Sequence, residues 1–206
     1  MKILEKYFPG LEPAKLDKFS MLYDLYAQWN EQINVISRKD MDNFYERHVL
    51  HALSIAKFIS FQDNSVILDL GTGGGFPGIP LAIYFPEVEF HLTDSIAKKI
   101  KVAEGVAKEL HLNNVVCKVT RAEDYILKCD FVVSRAVAKM SDLVGWSAGK
   151  IKTEKRNFIS NGIIALKGGD LEDELRPYRK RIQVVELKNY FEEDFFETKK
   201  LVYYHA

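Results

Sequence analysis

The stretch that decides the fold is "ILDLGTGGGFPGIPLAI", residues 67–83. It runs from apolar residues into a run of glycines and out into apolar residues again. Because glycine has no Cβ, such a run lets the backbone come close to a ligand. A tight turn without a ligand is a weaker explanation, since four glycines within positions 71–75 each cost backbone entropy on folding. The stretch therefore predicts a ligand-binding loop between a strand and a helix.

The glycines fit two motifs at once. Residues 71–75 read as G-x-G-x-G, the loop of S-adenosyl-L-methionine (SAM) enzymes, and residues 73–78 read as G-x-G-x-x-G, the fingerprint of NAD and FAD proteins. Asp94 ends the next predicted strand and suits ribose hydroxyls in either case. Together these residues predict an adenosine ligand without naming which one.

Asp69 favours SAM over NAD. A carboxylate two residues before Gly71 would be repelled by a pyrophosphate but can face the positive end of an amino-acid moiety. Pro77 and Pro80, which flank the third glycine of the NAD motif, argue less strongly because proline is tolerated in a first helical turn. These features favour SAM and keep NAD as the alternative.

The rest of the chain divides at a polar break, "SFQDNS", residues 60–65. Before the break, apolar residues recur at helical spacing, which predicts an N-terminal helical extension over residues 1–60. After it, short apolar runs alternate with helical stretches, which predicts a mostly parallel sheet with helices on both faces. We expect strands at residues 65–70, 88–94, 115–120, 129–134, 162–168, 182–191 and 199–206, and helices at residues 76–85, 95–112, 139–152 and 170–180.

The last two predicted strands have no predicted helix between them, which indicates an antiparallel edge. That ending is unlike a plain dinucleotide-binding domain. It suits the Rossmann-like α/β sheet of a SAM-dependent methyltransferase, and this is the fold class we predict for residues 61–206.

Composition excludes several classes of protein. The longest apolar runs are too short to span a membrane, and the N-terminal residues lack the apolar centre of a signal peptide. Cys117 and Cys129 form no Cys-x-x-Cys motif, so we expect a reducing, cytoplasmic setting. The net charge of zero argues against non-specific coating of nucleic acid but allows a local basic patch.

Several stretches make a family resemblance visible. They are "WNEQINVISRKD" (29–40), "RHVLHAL" (47–53), the glycine stretch, "LTDS" (92–95), "SRAVAKMSDLVGW" (134–146) and "ALKGG" (165–169). In this order they resemble the RsmG family, also called GidB, over nearly the whole chain. The resemblance implies a SAM-dependent methyltransferase acting on N7 of a guanine in the 530 loop of 16S ribosomal RNA.

The resemblance also implies a set of cofactor-binding residues. Carried onto this sequence, they are Gly71, Phe76, Ala122, Glu123 and Arg135. The glycine motif and the end of the second predicted strand add Gly73 and Asp94 to the residues that we expect to bind the cofactor. Two departures are small: Gly74 stands where many members have proline, and Phe76 stands where others have leucine. For Arg135 a salt bridge to Asp69 or Glu123 remains the alternative role.

Methylation of guanine N7 needs no general base, because N7 is unprotonated at neutral pH. We therefore expect no catalytic acid or base. His48 and His51 have a spacing that suits a metal, but no carboxylate or cysteine completes a site, and we expect none. Basic residues are candidates for an RNA approach: Arg38, Lys39, Arg47, Lys139, Lys150, Lys152, Lys155, Arg156 and Lys167. The competing functions are methylation of a small molecule or protein, and nucleotide binding without catalysis.

Overall fold

The first part of the chain is helical. The computed structural model describes the backbone of residues 1–206 and every side chain except that of Arg38, so this candidate RNA contact lies outside the described side chains. The N-terminal helices are α1 (Lys2–Tyr7), α2 (Pro13–Gln32), α3 (Arg38–Met41), a π-helical turn (Tyr45–Leu50) and α4 (His51–Phe58). The predicted helical extension is confirmed. The π-helical turn, a form often found at functional sites, was not predicted.

A seven-stranded sheet follows these helices. Its elements are β1 (Val66–Leu70), α5 (Gly78–Tyr84), β2 (Glu89–Asp94), α6 (Ala97–Glu109), β3 (Val115–Val119), β4 (Phe131–Arg135), α7 (Met140–Ser147), β5 (Gly162–Gly168), α8 (Glu172–Leu175), β6 (Ile182–Glu186) and β7 (Lys199–His205). The strand order is β3-β2-β1-β4-β5-β7-β6, and β7 runs antiparallel to both of its neighbours. The predicted fold class, including the antiparallel edge, is confirmed.

Some predicted elements are too long. The helix predicted over residues 139–152 ends at Ser147, because the chain turns at Gly149 with a φ of 72° and Ile151 then pairs with Cys129. The helix predicted over residues 170–180 is α8 followed by a 3₁₀ turn at Arg176–Tyr178. Pro177 lies in that turn, and its missing N–H prevents a continuous α-helix.

The sheet topology defines where a ligand binds. The chain order reverses between β1 and β4, which lie side by side and parallel. In such sheets ligands bind beyond the carboxyl ends of the strands at this reversal. The loops after β1 and β4 therefore border the candidate site.

The N-terminal helices pack directly on the sheet domain. Helix α2 buries Phe19, Leu22 and Tyr26 completely, and the ring of Tyr26 lies 4.8 Å from the ring of Phe76 in the glycine loop. Side chains of both parts belong to one cluster of buried apolar residues. The division of the chain at residue 60 stays a prediction.

Gly105 marks the closest approach between α2 and the sheet domain. A Cβ at this position would lie 2.2 Å from Cζ2 of Trp29, closer than two atoms can pack. We therefore expect Gly105→Ala to lower the free energy of unfolding by roughly 1–3 kcal/mol, as overpacking does. Thermal unfolding followed by tryptophan fluorescence measures the change.

The matched control for this prediction is Gly145→Ala in α7, where a Cβ would meet nothing within 4 Å. Alanine is favoured over glycine in a helix by about 0.5–1 kcal/mol, so this variant should be as stable as the wild type or more so. Equal stability of the two variants would contradict tight packing between Trp29 and α6.

Candidate active site

The loop between β1 and α5 is held by the carboxylate of Asp69. This side chain is fully buried, and its Oδ2 accepts hydrogen bonds from Oγ1 of Thr72 at 2.6 Å and from the amide of Gly78 at 2.9 Å. Burial raises the pKa of Asp69 to about 7, although the bond from Thr72 opposes the rise. Asp69 thus shapes the loop from within. Its expected role towards an amino-acid moiety stays a prediction, and its Oδ1 has no partner among the described side chains.

The glycines of the loop are required for two different physical reasons, backbone conformation and close packing. Gly71 and Gly73 adopt left-handed φ values of 69° and 58°. A Cβ at Gly74 would lie 2.9 Å from Val35, and one at Gly75 would lie 2.6 Å from Ile79. The residues at positions 74 and 75 are therefore required to be small by protein packing as well as by any ligand.

The extension also bonds the loop directly. The hydroxyl of Tyr26 in α2 donates to the carbonyl oxygen of Gly74 at 2.8 Å. Burial raises the pKa of Tyr26, so its proton stays in place for this bond. The glycine loop is consequently fixed from one side by Asp69 and from the other by the N-terminal helices.

A cavity of about 300 Å³ opens beyond the ends of β1 to β4, and we call it the strand-end cavity. It is lined by Gly71, Thr93, Asp94, Ser95, Ile96, Lys99, Thr120, Arg121, Ala122, Glu123, Val137 and Trp146. Four of the residues predicted from the sequence to bind the cofactor line it together: Gly71, Asp94, Ala122 and Glu123.

Asp94 has the geometry of a ligand-binding carboxylate. Its Oδ2 accepts from the amide of Gly73 at 3.0 Å, and its Oδ1 accepts from the amide of Ile96 at 2.9 Å. These bonds fix the carboxylate, and each oxygen keeps a further lone pair for a ligand hydroxyl. Gly73, the fifth predicted residue, thus orients Asp94 without lining the strand-end cavity itself.

The apolar walls of this cavity were not predicted from the sequence. Ile96 and Val137 keep 48% and 43% of their surface exposed, which is unusual for large apolar side chains, and both line the cavity. The signal in the sequence that could have identified Ile96 is its position just after Asp94, the acidic residue that ends β2. The ring of Trp146 lines the same cavity. Flat or apolar side chains of this kind suit a heterocyclic base.

Phe76 and Arg135, the other two predicted residues, lie together on the far side of the loop. The guanidinium of Arg135 sits 4.9 Å above the ring of Phe76. Its Nη2 bonds Nδ1 of His48 at 3.2 Å, and its Nη1 donates to the backbone carbonyl of Arg47 at 3.4 Å. The salt bridge to Asp69 or Glu123 considered from the sequence is not formed.

Arg135 borders a second cavity of about 340 Å³, which we call the histidine cavity. His48, His51 and Arg47 also line it, and residues 166–168 at the end of β5 close one side. The loop after β4 separates the two cavities, since Ala136 lines this one and Val137 lines the strand-end cavity. Ala136 has a φ of 53°, a strained value for a residue with a Cβ at the junction between two sites.

The histidines do not carry the charge in the histidine cavity, whose charged lining residues are Asp40, Arg47, Arg135, Lys167 and Lys199. Burial lowers the pKa of Arg135 to about 10, so it stays cationic at neutral pH. Burial, and then the charge of Arg135, lower the pKa of His48 to about 3 and that of His51 well below its usual value. Both imidazoles are therefore neutral at physiological pH.

Other features of the described residues do not bear on the candidate site. A cavity of about 570 Å³ lies between residues 8–15 and 84–88, away from the carboxyl ends of the strands. No described helix combines the length and apolar character required to cross a bilayer. Within the described part of the chain, no three His, Cys, Asp or Glu residues group as metal ligands would.

Comparison with known proteins agrees with this geometry. The family model described as "GidB: rRNA small subunit methyltransferase G" matches residues 15–202. The chain belongs to this family. Curated relatives called ribosomal RNA small subunit methyltransferase G include one from Phocaeicola vulgatus, 55% identical over 98% of this chain and 97% of its own length. Another, from Cytophaga hutchinsonii, is 51% identical over the full length of both chains.

Solved structures show the same fold at low sequence identity. A SAM-dependent O-methyltransferase from Thermotoga maritima aligns with a TM-score of 0.61 at 14% identity, covering 90% of this chain and 71% of its own. A SAM-dependent methyltransferase from Aquifex aeolicus aligns with a TM-score of 0.59 at 14% identity, covering 82% of this chain and 98% of its own. The fold of this chain is thus that of SAM-dependent methyltransferases.

The geometry of Asp94 generates a binding prediction. We expect Asp94→Ala to weaken SAM binding about 10- to 100-fold, because a carboxylate that accepts ribose hydroxyls contributes roughly 1.5–3 kcal/mol. Isothermal titration calorimetry on the folded variant measures this loss.

Asp124→Ala is the matched control, since Asp124 is exposed near the same loop but does not line the strand-end cavity. It should bind SAM as the wild type does. An unchanged affinity in Asp94→Ala would show that the ribose lies elsewhere.

Proposed function

We propose that the protein methylates N7 of a guanine in the 530 loop of 16S ribosomal RNA, using SAM, in the cytoplasm. The observation that carries the proposal is family membership over residues 15–202, together with a cavity at the strand ends built around Asp94. The small ribosomal subunit, or its RNA, is the proposed partner.

The residues at the strand ends suit SAM. Asp94 would hold the ribose, and Ile96 and Val137 would flank the adenine beside Ala122 and Glu123. The fixed oxygens of the Asp94 carboxylate suit the polar ribose of an adenosine, and the exposed apolar walls of the cavity suit its flat base. Gly71 and Gly73, by their left-handed backbone, let the loop pass close to the rest of the cofactor. The roles of Phe76 and Arg135 towards the cofactor are part of the proposal and rest on the family resemblance.

The chemistry requires positioning rather than proton transfer. When bound, SAM supplies a methyl group on a sulfonium, and the N7 lone pair displaces S-adenosylhomocysteine from it. The charge of the sulfonium passes to the methylated base, so no proton has to leave. Alignment of the reacting groups can supply on the order of 7–11 kcal/mol of the barrier. The chain's task is to hold the methyl group of the cofactor in contact with N7 of the base and in line with it.

Mass analysis of 16S ribosomal RNA tests the proposal directly. RNA from cells without the gene should lack a 7-methylguanosine that reappears when the gene is restored. A chain that methylates a small molecule or a protein would leave the RNA unchanged, and a nucleotide-binding module would leave every methylation unchanged. Full names and matched lengths of the relatives favour the ribosomal substrate over both alternatives.

Arg135 generates the first kinetic prediction. Lysine would keep the charge but lose the planar fork that bonds His48 and the Arg47 carbonyl. We expect Arg135→Lys to reduce methyl transfer to ribosomal RNA at least about tenfold, a cost of roughly 1.4 kcal/mol or more. Single-turnover transfer of labelled methyl groups measures it.

Arg179→Lys, an exposed substitution outside both cavities and outside the candidate RNA contacts, is the control and should transfer methyl groups at the wild-type rate. A wild-type rate in Arg135→Lys would refute the role of the fork. A parallel fall in SAM affinity and transfer would place the guanidinium on the cofactor. A fall in transfer alone would place it on the RNA.

The pKa values generate a prediction on pH. Because His48 titrates at about 3, it stays neutral throughout the neutral range, and N7 needs no deprotonation. Single-turnover transfer at saturating SAM and RNA should therefore be flat across neutral pH.

The pKa of Asp69 is raised to about 7, so its titration has to be distinguished from a pH dependence of methyl transfer itself. Its raised pKa means that the folded state holds this proton more tightly than the unfolded chain, so its contribution to stability falls as pH rises through 7. The Asp69→Asn variant lacks this titrating group and is measured alongside the wild type. A steep rise of rate with pH that persists in Asp69→Asn would contradict transfer without a base.

A further inference from the structure

The chain between β3 and β4 carries two of the residues that line the strand-end cavity. We call residues 120–128 the β3–β4 loop; the structure describes all of them, and they form neither helix nor strand. Ala122 and Glu123, which are proposed to lie beside the adenine, belong to this loop. A loop without regular structure needs other contacts to keep such residues in place, because the apparent affinity for a ligand falls with the fraction of molecules that are competent to bind it.

Tyr125 makes the best shielded of these contacts. Its hydroxyl lies 2.8 Å from Nδ1 of His91 on β2, and the centroids of the two rings are 5.9 Å apart. The tyrosine also packs against a cluster of buried apolar residues. Side-chain bonds donated by Lys128 and Lys150 to backbone carbonyls also tie the loop down, but they are exposed to water, which competes for them. The bond between Tyr125 and His91 therefore holds the loop most firmly.

His91 is a fixed partner for this hydroxyl. It is 8% exposed and lies in β2, which pairs with β1 on one side and with β3 on the other. Its Nε2 lies 2.7 Å from Oε1 of Glu89 and donates to it, since an ionised carboxylate only accepts. In the neutral ring Nδ1 then accepts from the hydroxyl of Tyr125, and in the charged ring Nδ1 donates to its oxygen. The bond therefore exists in either protonation state of His91.

The face of β2 that carries His91 leads directly to the cavity. Side chains alternate between the two faces of a strand, so His91 and Thr93 share one face, and Thr93 lines the strand-end cavity. Tyr125 follows Glu123 by two residues, so at most about 7 Å of chain separates their Cα atoms. An anchor this close leaves Glu123 little freedom to move away from the cavity.

We propose that Tyr125 and His91 are positioning residues for the cofactor: their bond holds Ala122 and Glu123 at the strand-end cavity, where the adenine of SAM is recognised. The carboxylate of Glu123 accepts hydrogen bonds, which suits the N6 amino group of adenine and disfavours a base with an oxygen in its place. Neither Tyr125 nor His91 lines the cavity, so both act through the loop. The inference rests on the proposed function, in which SAM occupies this cavity, and deepens it.

The first test removes only the hydroxyl. Tyr125→Phe keeps the ring packed, and it should raise the Kd for S-adenosylhomocysteine and the KM for SAM about three- to tenfold, the effect of one hydrogen bond. At saturating SAM, kcat for small ribosomal subunits should stay within twofold of the wild type, because Tyr125 lies outside the cavity. His91→Leu should have the same effect, and in the double variant the two losses should not add, since both remove one bond. An unchanged Kd in Tyr125→Phe, or full additivity, would overturn the proposal.

The second test identifies the part of the cofactor that is affected. S-Inosylhomocysteine, made by deamination of S-adenosylhomocysteine, carries an oxygen in place of the N6 amino group. The wild type should bind the adenosyl compound more tightly than the inosyl compound, and Tyr125→Phe should reduce this ratio of affinities at least threefold. Both ligands are titrated into the same preparation, so a smaller fraction of folded protein cancels from the ratio. A wild-type ratio in Tyr125→Phe would mean that the bond is merely structural and would overturn the proposal.

Tyr203→Phe is the matched control. Tyr203 donates its hydroxyl to the carbonyl oxygen of Ser160 at 2.6 Å and lines neither cavity, so this variant should keep the wild-type Kd and ratio. The same losses in Tyr203→Phe would mean that the effects report the fold and would overturn the proposal. Binding without RNA separates this inference from the proposed function: a wild type that binds S-adenosylhomocysteine beside an unaffected Tyr125→Phe overturns the inference alone, whereas a wild type without affinity for this compound contradicts both.

Discussion

The buried carboxylate of Asp69 is the contact on which the rest of the active site depends. One of its oxygens holds both Thr72, inside the glycine loop, and Gly78, at the start of the following helix. The loop therefore leaves β1 in a single direction and delivers the amide of Gly73 to Asp94 on the next strand. Through these bonds the ends of β1 and β2 are joined where they border one cavity.

Much of the fold and half of the site follow from the sequence, because the signals are local. Alternating strand and helix periods dictate the sheet, and a strand end followed by glycines dictates the position of the loop. Asp94, Ala122 and Glu123 line one cavity with Gly71, since the carboxyl ends of parallel strands meet at one edge, and their role towards a cofactor stays a prediction. Helix ends were predicted less well where Gly149 and Pro177 interrupt the periodicity.

The remaining features depend on contacts between distant parts of the chain. Nothing near Arg135 in the sequence indicates that it lies over Phe76 and bonds His48, a residue of the helical extension. The exposed apolar walls formed by Ile96 and Val137 are likewise visible only when the strands are assembled. The surroundings of Arg135 are therefore built jointly by the extension and the sheet.

The close packing of Val35 against Gly74 joins the helical extension to the glycine loop through a single pair of residues. A Cβ at position 74 would lie 2.9 Å from a methyl group of Val35, so a side chain there requires the branched residue at position 35 to move or to be smaller. The residues that one of these positions accepts therefore depend on the residue at the other. A chimera that joins the N-terminal helices of one chain to the sheet of another has to match this pair.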